Sequence, residues 1–99
     1  MEPSPRPLVI GLLGLDPYAS PAQWHADRAV VTATAEREGY SLLEIFEVTG
    51  EGWADDATYS AVEGLAARAG AVALMTRGSV SRKRVDQIAG RCGLAVAVT

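Results

Sequence analysis

This sequence predicts an α/β fold built on a parallel, helix-covered sheet, and three features carry that expectation. Four short apolar runs, 8-LVIGLLGL-15, 41-SLLEIFEV-48, 71-AVALM-75 and 94-LAVAV-98, alternate with three segments long enough to be helices. Ser, Asp and Gly stand where those helices should start and stop. Each intervening segment has the length of a crossover and not of a hairpin turn. Consecutive strands should therefore run parallel, with right-handed connections and helices on both faces.

The elements follow in order. Residues 1-MEPSPRP-7 contain three prolines and should form a disordered tail ahead of a single domain over 8–99. The first strand is apolar throughout, as befits burial on both faces. Ser20, Pro21 and Gln23 form a capping-box start, so a helix should run from Pro21 to Glu38 and stop at Gly39 in left-handed conformation. Trp24, Val31 and Ala35 share one face of it, with Asp27 and Arg28 at the edge. Glu44 and Glu47 place the second strand near a sheet edge. The loop 49-TGEGWADD-56 should lead into a helix capped by Asp55 or Asp56, ending at Gly70 and burying Tyr59, Val62, Leu65 and Ala66. Residues 71–75 form the third strand. A third helix, Ser81 to Arg91, buries Val85 and Ile88 and ends at Gly93, and 94–98 is the last strand.

Composition narrows the function classes. The chain has 99 residues, 48% hydrophobic and 21% charged, with a net charge of −3, which describes one globular domain and argues against wholesale polyanion binding. The charge is uneven, because 77-RGSVSRKR-84 holds four of the nine basic residues and no acid. Such a cluster suits a local anion site or a partner contact. Cys92 is the single cysteine, so neither an internal disulfide nor a cysteine metal set is possible, and no metal or cofactor is expected. No signal-peptide pattern or membrane-length apolar run occurs, so a cytoplasmic location without membrane contact is expected.

With the elements placed, the chain resembles the N-terminal catalytic domain of the serine recombinases, the resolvase and invertase family. The likeness lies in 9-VIGLLGLDP-17, in 35-AEREGYSLLEIFEV-48, which is the nearest match, and in 72-VALMTRGSVSRKRVDQI-88. It implies a three-layer α/β/α domain of resolvase-like, flavodoxin-like topology with four parallel strands in the order 2-1-3-4. It also implies lost chemistry. The family's nucleophilic Ser falls on Asp16, and the Arg two residues earlier falls on Gly14. The Arg opening the second helix falls near Asp56, and an Asp and an Arg of the third-strand motif fall on Gly78 and Ser79. Only Ser81 and Arg82 remain in place. Attack on a phosphodiester needs a hydroxyl and several guanidiniums, so the resemblance implies an inactive domain. Such a domain would bind another protein or its own copy, in a DNA-associated setting with nucleic-acid contact at most weak.

The candidate residues each admit two readings. Asp16 could hold a metal or a ligand hydroxyl at a strand end, where open α/β sheets place ligands, or could close its own turn ahead of Pro17. A receiver-like phosphoacceptor would need a second acid beside it and a strand-end Lys, and Lys83 lies in a helix. Arg77, Ser79, Ser81 and Arg82, with Lys83 and Arg84 behind them, could bind an anion at a helix start. Alternatively, one Ser caps the helix and the basic residues are solvated. Trp53 either folds back over the sheet or stands exposed as an interaction anchor. His25 reads as a surface residue and Cys92 as a small half-buried one. The 50-GEG-52 run lacks the context of a dinucleotide fingerprint. The competing function is therefore a small-ligand or anion site, or an unrelated enzyme, in the strand-end crevice around Asp16 and Ser81.

Overall fold

The computed structural model describes residues 6–50 and 52–99. Its elements alternate as expected: β1 (Leu8–Gly14), α1 (Pro21–Arg37), β2 (Ser41–Val48), α2 (Gly52–Ala69), β3 (Ala73–Gly78), α3 (Arg82–Cys92) and β4 (Ala95–Val98). Every strand pair is parallel and the order is β2-β1-β3-β4. Most of the expected N-terminal tail, residues 1–5, lies outside the described residues. The Pro7 carbonyl accepts from the Ser41 N–H at 2.8 Å, so backbone pairing with β2 begins just ahead of β1.

β1 pairs with β2 on one side and β3 on the other, and Val9–Gly14 are all buried. That position explains why its residues are apolar on both alternations. The chain steps one way from β1 to β2 and the other way from β2 to β3. Right-handed crossovers in opposite directions put their helices on opposite faces. α1 therefore lies alone on one face, where Val31 and Ala35 pack with Val9, Ala73 and Met75. α2 and α3 share the other, where Tyr59, Val62, Ala66, Val85 and Ile88 pack on Ile10, Leu12, Val48 and Leu74. Each fully buried Leu or Ile there contributes about 2 kcal/mol. Gly11 lets α1 settle onto β1, since a Cβ there would stand 3.1 Å from Val31 Cγ1 and 3.0 Å from Ile45 Cγ1.

The capping signals at α1 and α3 hold. Ser20 accepts from the Gln23 N–H with Pro21 in the first turn, Ser81 accepts from the Arg84 N–H, and Gly93 is left-handed at φ 66°. Two boundaries differ from expectation. α2 begins at Gly52, so Asp55 and Asp56 lie inside its first turns instead of capping it. Asp55 reaches back to the preceding loop from within the helix. β3 runs from Ala73 to Gly78 instead of 71–75, because the Ala71 N–H closes the end of α2 onto the Ala66 carbonyl. Its far end follows β1 in register as far as Gly14 opposite Gly78.

The two kinds of glycine should respond in opposite directions to alanine. Gly11→Ala should lower stability by about 1–2 kcal/mol, since Val31 and Ile45 must give way. Gly90→Ala, within α3 with nothing inside 4 Å of the new Cβ, should raise it by about 0.5–1 kcal/mol. Urea unfolding of both variants measures the difference.

Candidate functional site

Strand order reverses between β1 and β3, and a crevice at their carboxyl ends is where sheets of this type receive ligands. Here main chain fills it. The backbone turns at Gly78, with φ +80°, and lays Ser79 across the end of β1. A Cβ on Gly14 would lie 2.2 Å from the Ser79 carbonyl oxygen, and one on Gly78 would lie 2.4 Å from the Gly14 oxygen. No side chain fits at either position.

The space that remains is displaced toward β2, between the first turns of α2 and α3. This cleft holds about 340 Å³ and is lined by Val48, Gly50, Gly52, Asp55, Tyr59, Ser79, Ser81 and Arg84. Tyr59, 4% exposed, is fixed by the Ser81 N–H, which donates to its hydroxyl at 3.0 Å. The Arg84 guanidinium lies 4.8 Å from the Tyr59 ring centroid and pairs with Asp56. Asp55, 6% exposed, accepts from the Thr49 N–H at 2.9 Å, the Thr49 hydroxyl at 3.1 Å and the Gly50 N–H at 2.7 Å. These three donors hold the charge at low solvation cost and pin the β2–α2 loop against the helix start.

The structure distributes the sequence-derived candidates unevenly. Ser79 and Ser81 line the cleft, and Ser81 also caps α3. Arg77 is turned to the α1 face, where its Nε donates to Asp27 Oδ1 at 3.0 Å. Arg77 is still in β3 and shares the α1 face with Ala73 and Met75, and the left-handed turn at Gly78 redirects the chain and separates it from the serines. Arg82 and Lys83 are exposed. Arg84, two residues beyond Arg82, is the basic residue at the cleft. Asp16 is exposed and does not line it. Its carboxylate accepts from the Tyr18 N–H at 2.9 Å, and its carbonyl accepts from Ala19 N–H and from the Trp24 indole. Trp53 stands 83% exposed at the start of α2. His25 is exposed, and Cys92 is half-buried with its sulfur 3.9 Å from the Glu63 carbonyl oxygen.

Asp55, Tyr59 and Arg84 are the residues that sequence reasoning missed as a group. A polar-tipped Tyr on an inner helix face needs a buried partner for its hydroxyl, which was the available signal for Tyr59. Nothing in the spacing of Arg84 marks it out.

A second cavity, of about 490 Å³, opens on the α1 side of the sheet between α1 and β4. Val30, Thr34, Tyr40, Met75, Ala97 and Val98 line it, with Arg37 and Glu38 at its end. Among the described residues no three His, Cys, Asp or Glu side chains are grouped to hold a metal, and no helix is long and apolar enough to cross a membrane. No family model, curated protein or solved structure matches this chain.

Two substitutions test how the strand-end loops are held. Asp55→Ala leaves the Thr49 and Gly50 donors without their acceptor and should cost about 2–3 kcal/mol in chemical denaturation. Gly14→Ala forces β1 and the Ser79 peptide apart and should cost about 3 kcal/mol. A wild-type unfolding midpoint for either variant would contradict the geometry described.

Proposed function

We propose that this chain is a catalytically inactive, resolvase-like domain that works as a protein-binding or self-association module. The observation that carries this reading is the apolar groove beside α1. A single helix leaves part of the β3–β4 face uncovered on that side, and Val30 and Val98 are exposed at its margin. Apolar surface left in water forgoes about 25 cal/mol per Å² on burial, so a contiguous groove favours a partner that covers it.

The inactive part of the proposal draws on the strand ends. Gly14, Gly78 and Ser79, where the serine recombinase likeness would call for charged side chains, are instead in mutual main-chain contact. Asp16, at the nucleophile position of that likeness, has its carboxylate on its own turn. Weak nucleic-acid contact is in keeping with the pairing of Arg77 and Arg84 with Asp27 and Asp56, which leaves less free positive charge than the 77–84 segment suggests. Supercoiled plasmid incubated with the protein should stay intact, and the folded monomer should bind the apolar dye 1-anilinonaphthalene-8-sulfonate. Nicking abolished by Asp16→Ala would refute the inactive reading. A folded monomer that leaves the dye dark would refute the binding module.

A second reading, anion or small-ligand binding, is favoured by one specific arrangement. Ser81, Arg84 and the Tyr59 hydroxyl converge on the same cleft. The Arg82 and Lys83 N–H groups open α3 without intrahelical partners. Asp55 in the same wall and Asp56 on Arg84 oppose an anion, so binding should be weak, at about 1 kcal/mol per contact, and should fade with salt. Phosphate titration followed by amide NMR should move residues 79–84. If those amides stay fixed while others shift, this reading fails.

A further inference from the structure

We propose that β4 pairs antiparallel with β4 of a second copy, so that the two sheets join into one across a two-fold axis at Ala97. The proposal rests on the self-association part of the reading above, and it names the surface and the partner.

β4 ends the sheet, with β3 on one side and no strand on the other among the described residues. Two contacts fix the phase of its hydrogen bonds. The Ala95 N–H donates to the Val72 carbonyl at 3.0 Å, and the Thr99 N–H donates to the Thr76 carbonyl at 2.8 Å. Main-chain groups alternate sides along a strand. Ala95, Ala97 and Thr99 therefore face β3, while the N–H and C=O of Val96 and Val98 point away from the sheet. Donors and acceptors at this spacing are a template for one more strand.

The two edges of the sheet are built differently. β2 exposes Glu44 and Glu47, and its register with β1 shifts between Val9 and Gly11. Charge and irregular register both discourage edge pairing. β4 has neither. The run 94-LAVAVT-99 contains no charge and no proline, its register with β3 is continuous, and Val98 is 70% exposed. The flank of α3 above this edge raises no like-charged wall. Arg84 and Arg91 reach Asp56 and Glu63 on α2, and Val85 and Ile88 pack into the core. At about 100° per residue, Arg82, Asp86 and the small Ala89 are left on the β4 side.

A second β4 matches the template group for group. With Ala97 opposite Ala97, Val96 of each copy exchanges both hydrogen bonds with Val98 of the other. Both outward donors and both outward acceptors of each strand are then used, and no charged side chain enters the pairing. The interface is isologous and closed, whereas β2 against β4 would run on as an open filament with Glu44 and Glu47 at each joint. So short a joint falls below the ~800 Å² per partner of a standard interface, which makes the dimer reversible. α1 is separated from the axis by the apolar groove, so the groove stays open in the dimer.

Sedimentation of the full chain over a wide concentration range should show a reversible dimer that still binds the apolar dye. Val98→Pro removes an outward N–H without touching the β3 ladder, and should weaken the dimer roughly tenfold or more. Ala97→Cys, in a Cys92→Ala background and checked for folding by circular dichroism, should form a disulfide between copies under mild oxidation. Residues facing each other in a non-hydrogen-bonded antiparallel pair have Cα atoms about 4.5 Å apart, within disulfide reach. Ala95→Cys in the same background should not link, since its counterpart lies about 13 Å away along the strand. A dimer that survives Val98→Pro without loss, that links through Ala95→Cys and not Ala97→Cys, or that no longer binds the dye overturns β4 pairing while keeping self-association. A chain that stays monomeric but binds the dye overturns the second copy and keeps the module. A monomer that binds no dye overturns both.

Discussion

The Ser79 main chain lies directly on Gly14, and this contact governs what the carboxyl end of the sheet can hold. In a doubly wound sheet, the gap between the strands at which the order reverses is the natural place for a ligand. Two glycines remove the side chains that would keep that gap open. A left-handed φ at Gly78 then directs the chain across it, a conformation that costs a residue with a Cβ about 1–2 kcal/mol. The usable cleft is displaced toward the loop after β2, where Asp55, Tyr59 and Arg84 take over as its polar lining.

Those three residues are also bound to the framework. Tyr59 holds the start of α3 through the Ser81 N–H, Arg84 stacks on Tyr59, and Asp55 ties down Thr49 and Gly50. A wall built this way is rigid and largely self-satisfied. Fewer of its donors and acceptors are free for a ligand, which weighs the balance toward a structural role for the polar groups there. The opposite side of the domain differs in kind. Its groove is apolar, and the helix beside it turns alanines outward. Burial against another protein surface, driven by the hydrophobic effect, is the interaction that such a face can offer.

The unequal faces have a common origin in the sheet order. With β1 central and crossovers of one hand, a single connection lies on the α1 side and two lie on the other. Two helices bury Ile10, Leu12 and Leu74 completely on their side. One helix cannot span the same width, since strands are about 4.8 Å apart and a helix is about 10 Å across. The uncovered strip at β4 is a geometric consequence of that mismatch.

The sequence by itself determined the element order, the parallel sense of the strands and most boundaries. These depend on local signals: apolar runs, Ser20 with Pro21, Ser81, and the glycines that end helices. The start of α2 was not legible, because Asp55 looks like a helix cap when its role is to bind Thr49 and Gly50 from inside the first turns. Nor was the grouping at the strand ends. Arg77 and Ser79 are two residues apart, yet Arg77 pairs with Asp27 on the α1 face, while the left-handed turn at Gly78 carries Ser79 to the cleft. Asp56 and Arg84 are far apart in sequence, and only the packing of α2 beside α3 brings them together. Local structure follows from short-range sterics and hydrogen bonds that neighbouring residues carry in full. The shape of the cleft, the filled crevice and the open groove depend on which distant segments meet across the sheet, and only the tertiary structure decided those.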